Sequence, residues 1–165
     1  MMKGNQQLIL TGSLGEIIRE SAQTALSYVR SHAEDFSLDP DFFNGHDIHI
    51  HIPSGDVPKN GPSAGVTIAV ALISLLTRKP ARRDVALSGE FTLSGRVLPV
   101  GGIREKVLAA QRAGVKEIIF PEGNRIDIVS LDADVREGVD LSVASDVFSI
   151  PDKVLIRDTG TITQS

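Results

Sequence analysis

Apolar positions along the chain change period several times, and each change marks an element. Leu8-Ile9-Leu10 is a short apolar run that breaks at Thr11-Gly12, which predicts a strand and a turn. Leu14, Ile17, Ile18, Ala22, Ala25, Tyr28 and Val29 then recur at helical spacing. Ser13 three residues before Glu16 is a capping-box signature, so an amphipathic helix is predicted from there to about His32. The polar stretch from Ser31 to Gly45 reads as a connection. Asp47 to Ile52 alternates strictly, with Ile48, Ile50 and Ile52 on one face and His49 and His51 on the other, as a half-buried strand does. From Val66 to Leu76 nearly every position is apolar, which predicts a helix buried all round.

Downstream, Val85 to Leu93 reads as a strand, Gly95 as a turn and Arg96 to Val100 as the returning strand of a hairpin. Two glycines, Gly101 and Gly102, open a helix that Gly114 closes. Val115 to Phe120 is a further strand, Ile126 to Leu131 a short helix, Val139 to Val143 a last strand and Asp146 to Ile150 a helical turn. The expected organisation is one domain over residues 1–150 and a polar tail over 151–165. A chain of 165 residues suits one domain with a single core. Helices and strands alternate without a clean doubly wound order around the hairpin, so the pattern alone predicts a mixed α and β domain.

Two stretches carry candidate chemistry. Gly61-Pro62-Ser63-Ala64-Gly65 stands at the mouth of the apolar helix. Proline suits the first helical position, the glycines are read as allowing close backbone approach, and the first free amides form a partly positive nest for a phosphate, a carboxylate or an oxyanion. Ser63 could equally cap the helix. In the second helix, Arg104, Glu105, Gln111 and Arg112 share one side at about 100° per residue, whereas Lys106 falls among Ile103, Ala110 and Ala113. Such a lysine either covers apolar surface with its stem or is a buried amine.

Together these stretches resemble the proteolytic domain of Lon, the ATP-dependent protease. The resemblance runs from about Leu8 to about Val147. It rests on His49-Ile50-His51-Ile52-Pro53, Gly61 to Gly65, Ser88-Gly89-Glu90, Val97 to Gly102 and Glu105-Lys106, with Leu10-Thr11-Gly12, Glu20-Ser21-Ala22 and Phe120-Pro121-Glu122-Gly123-Asn124 in the same order. It implies an α+β fold, a mixed sheet with packed helices, and a serine-lysine dyad with Ser63 as nucleophile and Lys106 as general base. Asn60, Gly61, Pro62, Ala64 and Ser88 are supporting residues, with His49 and His51 at the approach. Ser88 stands where the family commonly has a threonine that contacts the lysine. Asn60 stands where aspartate is common, and the amide removes a negative charge that would favour the ammonium. A lysine at its reference pKa of about 10.4 is almost wholly charged at neutral pH, and burial among small residues is what lowers it toward use as a base.

The resemblance further implies unfolded or damaged proteins as substrates, a homo-hexameric ring, and an AAA+ ATPase module in the longer family protein. No phosphate-binding Gly-x-x-x-x-Gly-Lys-Ser/Thr motif occurs in the chain, so ATP and magnesium are expected only in that module, with no cofactor here. The family's amino-terminal β segment before Leu8 is expected to be missing. Pro53 to Gly61 is expected to be a loop gating the site.

Composition narrows the alternatives. Seventeen basic against 21 acidic side chains, with no basic run, argue against nucleic acid. Cysteine is absent, so neither disulfides nor thiolate chemistry contributes. The run from Val66 to Leu76 is too short to span a bilayer, and Met1 to Gln7 lacks the apolar core of a signal peptide. A cytoplasmic location is therefore expected, with no membrane partner. Metal binding by His49 and His51 lacks an obvious third ligand. Two other readings are a catalytically inactive assembly domain and a GHMP-kinase-like phosphotransferase whose Gly61 to Gly65 turn would cradle phosphate.

Overall fold

A computed structural model describes residues 1–12, 14–53 and 61–156. Its first sheet comprises β1 (Met2–Lys3), β2 (Leu8–Gly12) and β3 (His46–Ile52), in the order β1-β3-β2. β2 runs parallel to β3, with Leu8 opposite Ile48, and β1 runs antiparallel to it. The alternation along β3 holds: Ile48 is buried, while His49 and His51 are exposed. β1 was not predicted, because its pairing with β3 leaves no apolar period in Met2 and Lys3 to read.

The helix α1 (Glu16–Ser31) starts after Gly15 with no side-chain cap. Ser13, half of the expected capping box, lies outside the described residues. Ile18, Ala22, Ala25, Tyr28 and Val29 face the core as their spacing predicts and Leu26 joins them, but Ile17 is 41% exposed. α1 packs on α2 (Gly65–Thr77), the apolar helix. That helix is not buried all round. Thr67, Ala71 and Leu75, spaced i, i+4, i+8, form an exposed stripe, with Leu75 48% exposed. Periodicity missed this face because two of its three positions are themselves apolar.

The second sheet is all-parallel, in the order β4-β7-β8, from β4 (Val85–Leu87), β7 (Glu117–Pro121) and β8 (Asp140–Ala144). The predicted continuous strand from Val85 to Leu93 is divided at Ser88-Gly89. Its second part, β5 (Glu90–Phe91), pairs antiparallel with β6 (Val97–Leu98) in a separate hairpin. α3 (Ile103–Arg112) connects β6 to β7, and α4 (Arg125–Val129) with α5 (Ala133–Arg136) connects β7 to β8.

Two apolar clusters form rather than the single core expected. Alternate residues of β7 point to opposite faces of the sheet. Ile119 joins a cluster with α1 and α2, whereas Ile118 and Phe120 join Ile103, Val107 and Val135 around α3 and α5. The parallel sheet is thus a middle layer between two helical layers, an α+β arrangement with mixed strand pairing. The helical turn expected at Asp146 to Ile150 lies instead at α6 (Pro151–Val154). Val154 and Leu155 belong to the first cluster, so the core continues past residue 150 into the expected tail.

Candidate active site

Ser63 occupies a 3-10 turn, Pro62–Ala64, that runs directly into α2. No side-chain cap bond is made at either helical start, so the serine is not acting as a cap. Three hydrogen bonds fasten this end of α2 to the end of β4 and the segment after it. The Gly89 N–H donates to Ser63 O at 2.9 Å, the Val66 N–H donates to Gly89 O at 3.0 Å and Thr67 Oγ1 donates to Leu87 O at 3.1 Å. The strand breaks here: the Ser88 N–H still pairs with Ile119 O of β7 at 3.2 Å, and the Gly89 N–H and C=O turn to the helix mouth. Close approach is required at Gly89, where a Cβ would lie 2.8 Å from Val66 Cγ2 and 3.1 Å from Val97 Cγ1. It is not required at the two glycines flanking Ser63. Among the described residues Gly61 would meet nothing within 4 Å, and Gly65 would meet Phe91 at an ordinary 3.5 Å.

Lys106 projects from the first turn of α3. Gly102 precedes that helix in the left-handed region, φ 69°, and its carbonyl accepts the Lys106 N–H at 3.0 Å. The side chain folds back, and Nζ donates to Gly101 O at 2.8 Å. Burial pushes the Lys106 ammonium below its ordinary pKa.

Both residues line one cavity of about 440 Å³. It opens beside β4, the edge strand of the parallel sheet, where α2 and α3 overhang from opposite faces. Ala64, Ala109, Ala110 and Ala113 wall it, and among the described residues Lys106 is its only charged side chain. Ser88 also lines it. The residue is 9% exposed, and its Oγ has no hydrogen-bond partner among the described residues. The Ser88–Lys106 contact expected from the resemblance is therefore not made here, where Nζ is given to Gly101 O. A hydroxyl and a partly desolvated amine that line one small-residue pocket are the groups that base-assisted attack on an electrophilic carbonyl uses.

Other expected site residues stand elsewhere. His49 Nε2 and His51 Nδ1 each lie 2.8 Å from Thr11 Oγ1 on the outer face of the first sheet, and neither lines the cavity. Among the described residues no three His, Cys, Asp or Glu side chains are grouped to hold a metal. Asn60 and the interior of the expected gating loop, 54–60, lie outside the described residues. One residue given no role from sequence stands out. Asn124 is 3% exposed and starts α4, yet its side chain does not cap that helix. It bonds both backbone groups of Val100, beside Gly101.

Comparison with known proteins identifies the family. Residues 1–157 match the family described as the Lon protease (S16) C-terminal proteolytic domain. The chain is 53% identical over 158 residues to the Lon protease of Aquifex aeolicus (strain VF5), covering 95% of this chain and 20% of that protein. It is 51% identical over 155 residues to Lon protease 1 of Bacillus subtilis (strain 168), covering 94% of this chain and 20% of that protein. With the Lon protease of Chloroflexus aggregans (strain MD-66 / DSM 9485) it shares 58% identity over 139 residues, covering 84% of this chain and 17% of that protein. The chain thus spans about a fifth of the length of these curated relatives.

Proposed function

The chain belongs to the family of Lon protease C-terminal proteolytic domains, and from that premise we propose that it is a serine endopeptidase domain with Ser63 as nucleophile and Lys106 as general base. The observation that carries the reading is the shared cavity: a serine hydroxyl with no capping role and a lysine whose pKa is lowered by burial line the same alanine-walled pocket.

In the proposed reaction the neutral Lys106 amine leaves the Gly101 carbonyl and accepts the Ser63 proton as Oγ attacks a peptide carbonyl carbon. Backbone amides at the Ser63 turn face the developing oxyanion. Collapse of the tetrahedral adduct breaks the C–N bond, and Lys106 returns the proton to the departing amine. Water, deprotonated by the same amine, then attacks the acyl-enzyme ester and regenerates Ser63. The unpartnered Ser88 hydroxyl supplies a hydrogen bond to the amine once it has turned inward. Asn60, by lacking the carboxylate common at its position, leaves the neutral amine favoured.

The substrates proposed are unfolded or damaged polypeptides, cleaved in the cytoplasm by a homo-hexamer. An AAA+ module of the longer protein would bind ATP and magnesium and deliver them. No described helix is long and apolar enough to cross a membrane.

Intact-mass spectrometry after exposure to a fluorophosphonate tests the assignment. One adduct on the native chain, absent from Ser63→Ala and Lys106→Ala, is expected. An adduct that survives in folded Ser63→Ala refutes the nucleophile. No adduct on the folded native chain returns the choice to the inactive domain or, with nucleotide binding, to the phosphotransferase.

A further inference from the structure

We infer that Asn124 is a positioning residue for Lys106, holding the base in place through the turn from which α3 begins. The inference rests on the proposed Ser63–Lys106 dyad. Its basis is two sets of hydrogen bonds on adjacent residues of one turn. Asn124 Oδ1 accepts the Val100 N–H at 2.9 Å, and Nδ2 donates to Val100 O at 2.9 Å, so the side-chain amide acts as an added rung on the backbone. Nδ2 also donates to Asp127 Oδ2 at 2.8 Å, which fixes the amide's orientation. The next residues, Gly101 and Gly102, accept the Lys106 Nζ–H and N–H respectively.

Val100 lies beyond the end of β6, so the amide satisfies a backbone that no neighbouring strand pairs. The anchor is rigid on the other side. Asn124 follows β7, whose Phe120 and Pro121 are buried, and the preceding Gly123 backbone packs on Pro99 so closely that a Cβ there would lie 3.2 Å from the ring. An asparagine at the start of a helix normally caps it. This one bonds to the turn instead, and leaving Val100 unsatisfied would free the Gly101-Gly102 segment that sets where Nζ can reach.

Displacing a catalytic group by about 1 Å can cost on the order of 10²-fold in rate. Fluorophosphonate labelling of Ser63, followed against pH with thermal unfolding measured in parallel, distinguishes positioning from plain stabilisation. The expected result for Asn124→Ala, well below its melting temperature, is labelling slowed by about 10²-fold, with a pH midpoint moved up toward that of an ordinary lysine. Water admitted around Nζ would cause that upward shift. Asp127→Ala, at an exposed position outside the cavity, is expected to slow labelling less and move the midpoint the same way; it decides the matter where Asn124→Ala does not fold. Folded variants that label at the native rate, or that lose rate without a midpoint shift, overturn the role. A native chain that does not label overturns the dyad itself, and this inference with it.

Discussion

The two walls of the cavity are held by different physics. On the Ser63 side, α2 is anchored by apolar burial of Val66, Ala69, Val70 and Ile73, and its mouth is joined to Gly89 by backbone hydrogen bonds. On the Lys106 side, α3 buries Ile103, Val107 and Ala110 in the other cluster, but the reach of the lysine is set by a glycine turn and one side-chain amide. The serine is placed by main chain that leaves no room for a Cβ at Gly89. The lysine is placed through side chains and an unusual backbone conformation at Gly102. In the proposed mechanism the first wall carries the nucleophile, and the second carries the group that changes hydrogen-bond partners in each cycle.

That contrast can be broken by substitution. The largest expected effect is from Gly89→Ala. The new Cβ meets Val66 and Val97, both stiff β-branched side chains, so overpacking should lower stability by about 1–3 kcal/mol and slow Ser63 labelling, as denaturant titration and labelling rates would report. On the other wall, Gly102→Ala meets only Glu105 Oε2, at 3.7 Å, but must hold φ 69°. The left-handed backbone should cost about 1–2 kcal/mol, whereas Gly101→Ala, with nothing within 4 Å among the described residues, should be nearly neutral. Equal losses at Gly101 and Gly102 would show that backbone conformation does not control the lysine wall.

The smallest effect is pH-dependent. Burial lowers the Lys106 pKa, so the unfolded chain holds that proton more tightly than the folded one. Stability should therefore rise as pH climbs from the depressed folded value toward the ordinary lysine value of about 10.4. The labelling rate should rise through the lower end of the same window. Lys106→Met should flatten that part of the stability profile, measured by denaturation at successive pH values; an unchanged slope would mean that the amine is not desolvated in solution.

Much of this was legible in the sequence because burial has a period. The faces of α1, β3 and α3 followed from spacing, including the inward placement of Lys106 among alanines. Legibility failed where the period vanishes or where a polar group serves a distant partner. α2 is apolar on nearly every side, so its exposed stripe left no trace, and Val85 to Leu93 reads as continuous although Gly89 gives its backbone to the Ser63 turn. Asn124 looks like a helix cap, and nothing local reveals that its partner is 24 residues earlier.

By itself the sequence determined most of the elements and a mixed α and β class, since local propensity and hydrophobic period act over a few residues, and its family resemblance gave the candidate pair Ser63 and Lys106. The tertiary structure alone decided that two apolar clusters on opposite faces of one sheet overhang its edge strand, bringing a serine from one and a lysine from the other to a common cavity. It also decided that the lysine rests on Gly101 and that Ser88 Oγ has no partner among the described residues. The physical reason is that hydrogen bonds between segments far apart in sequence depend on how whole layers pack, and no local pattern encodes that distance.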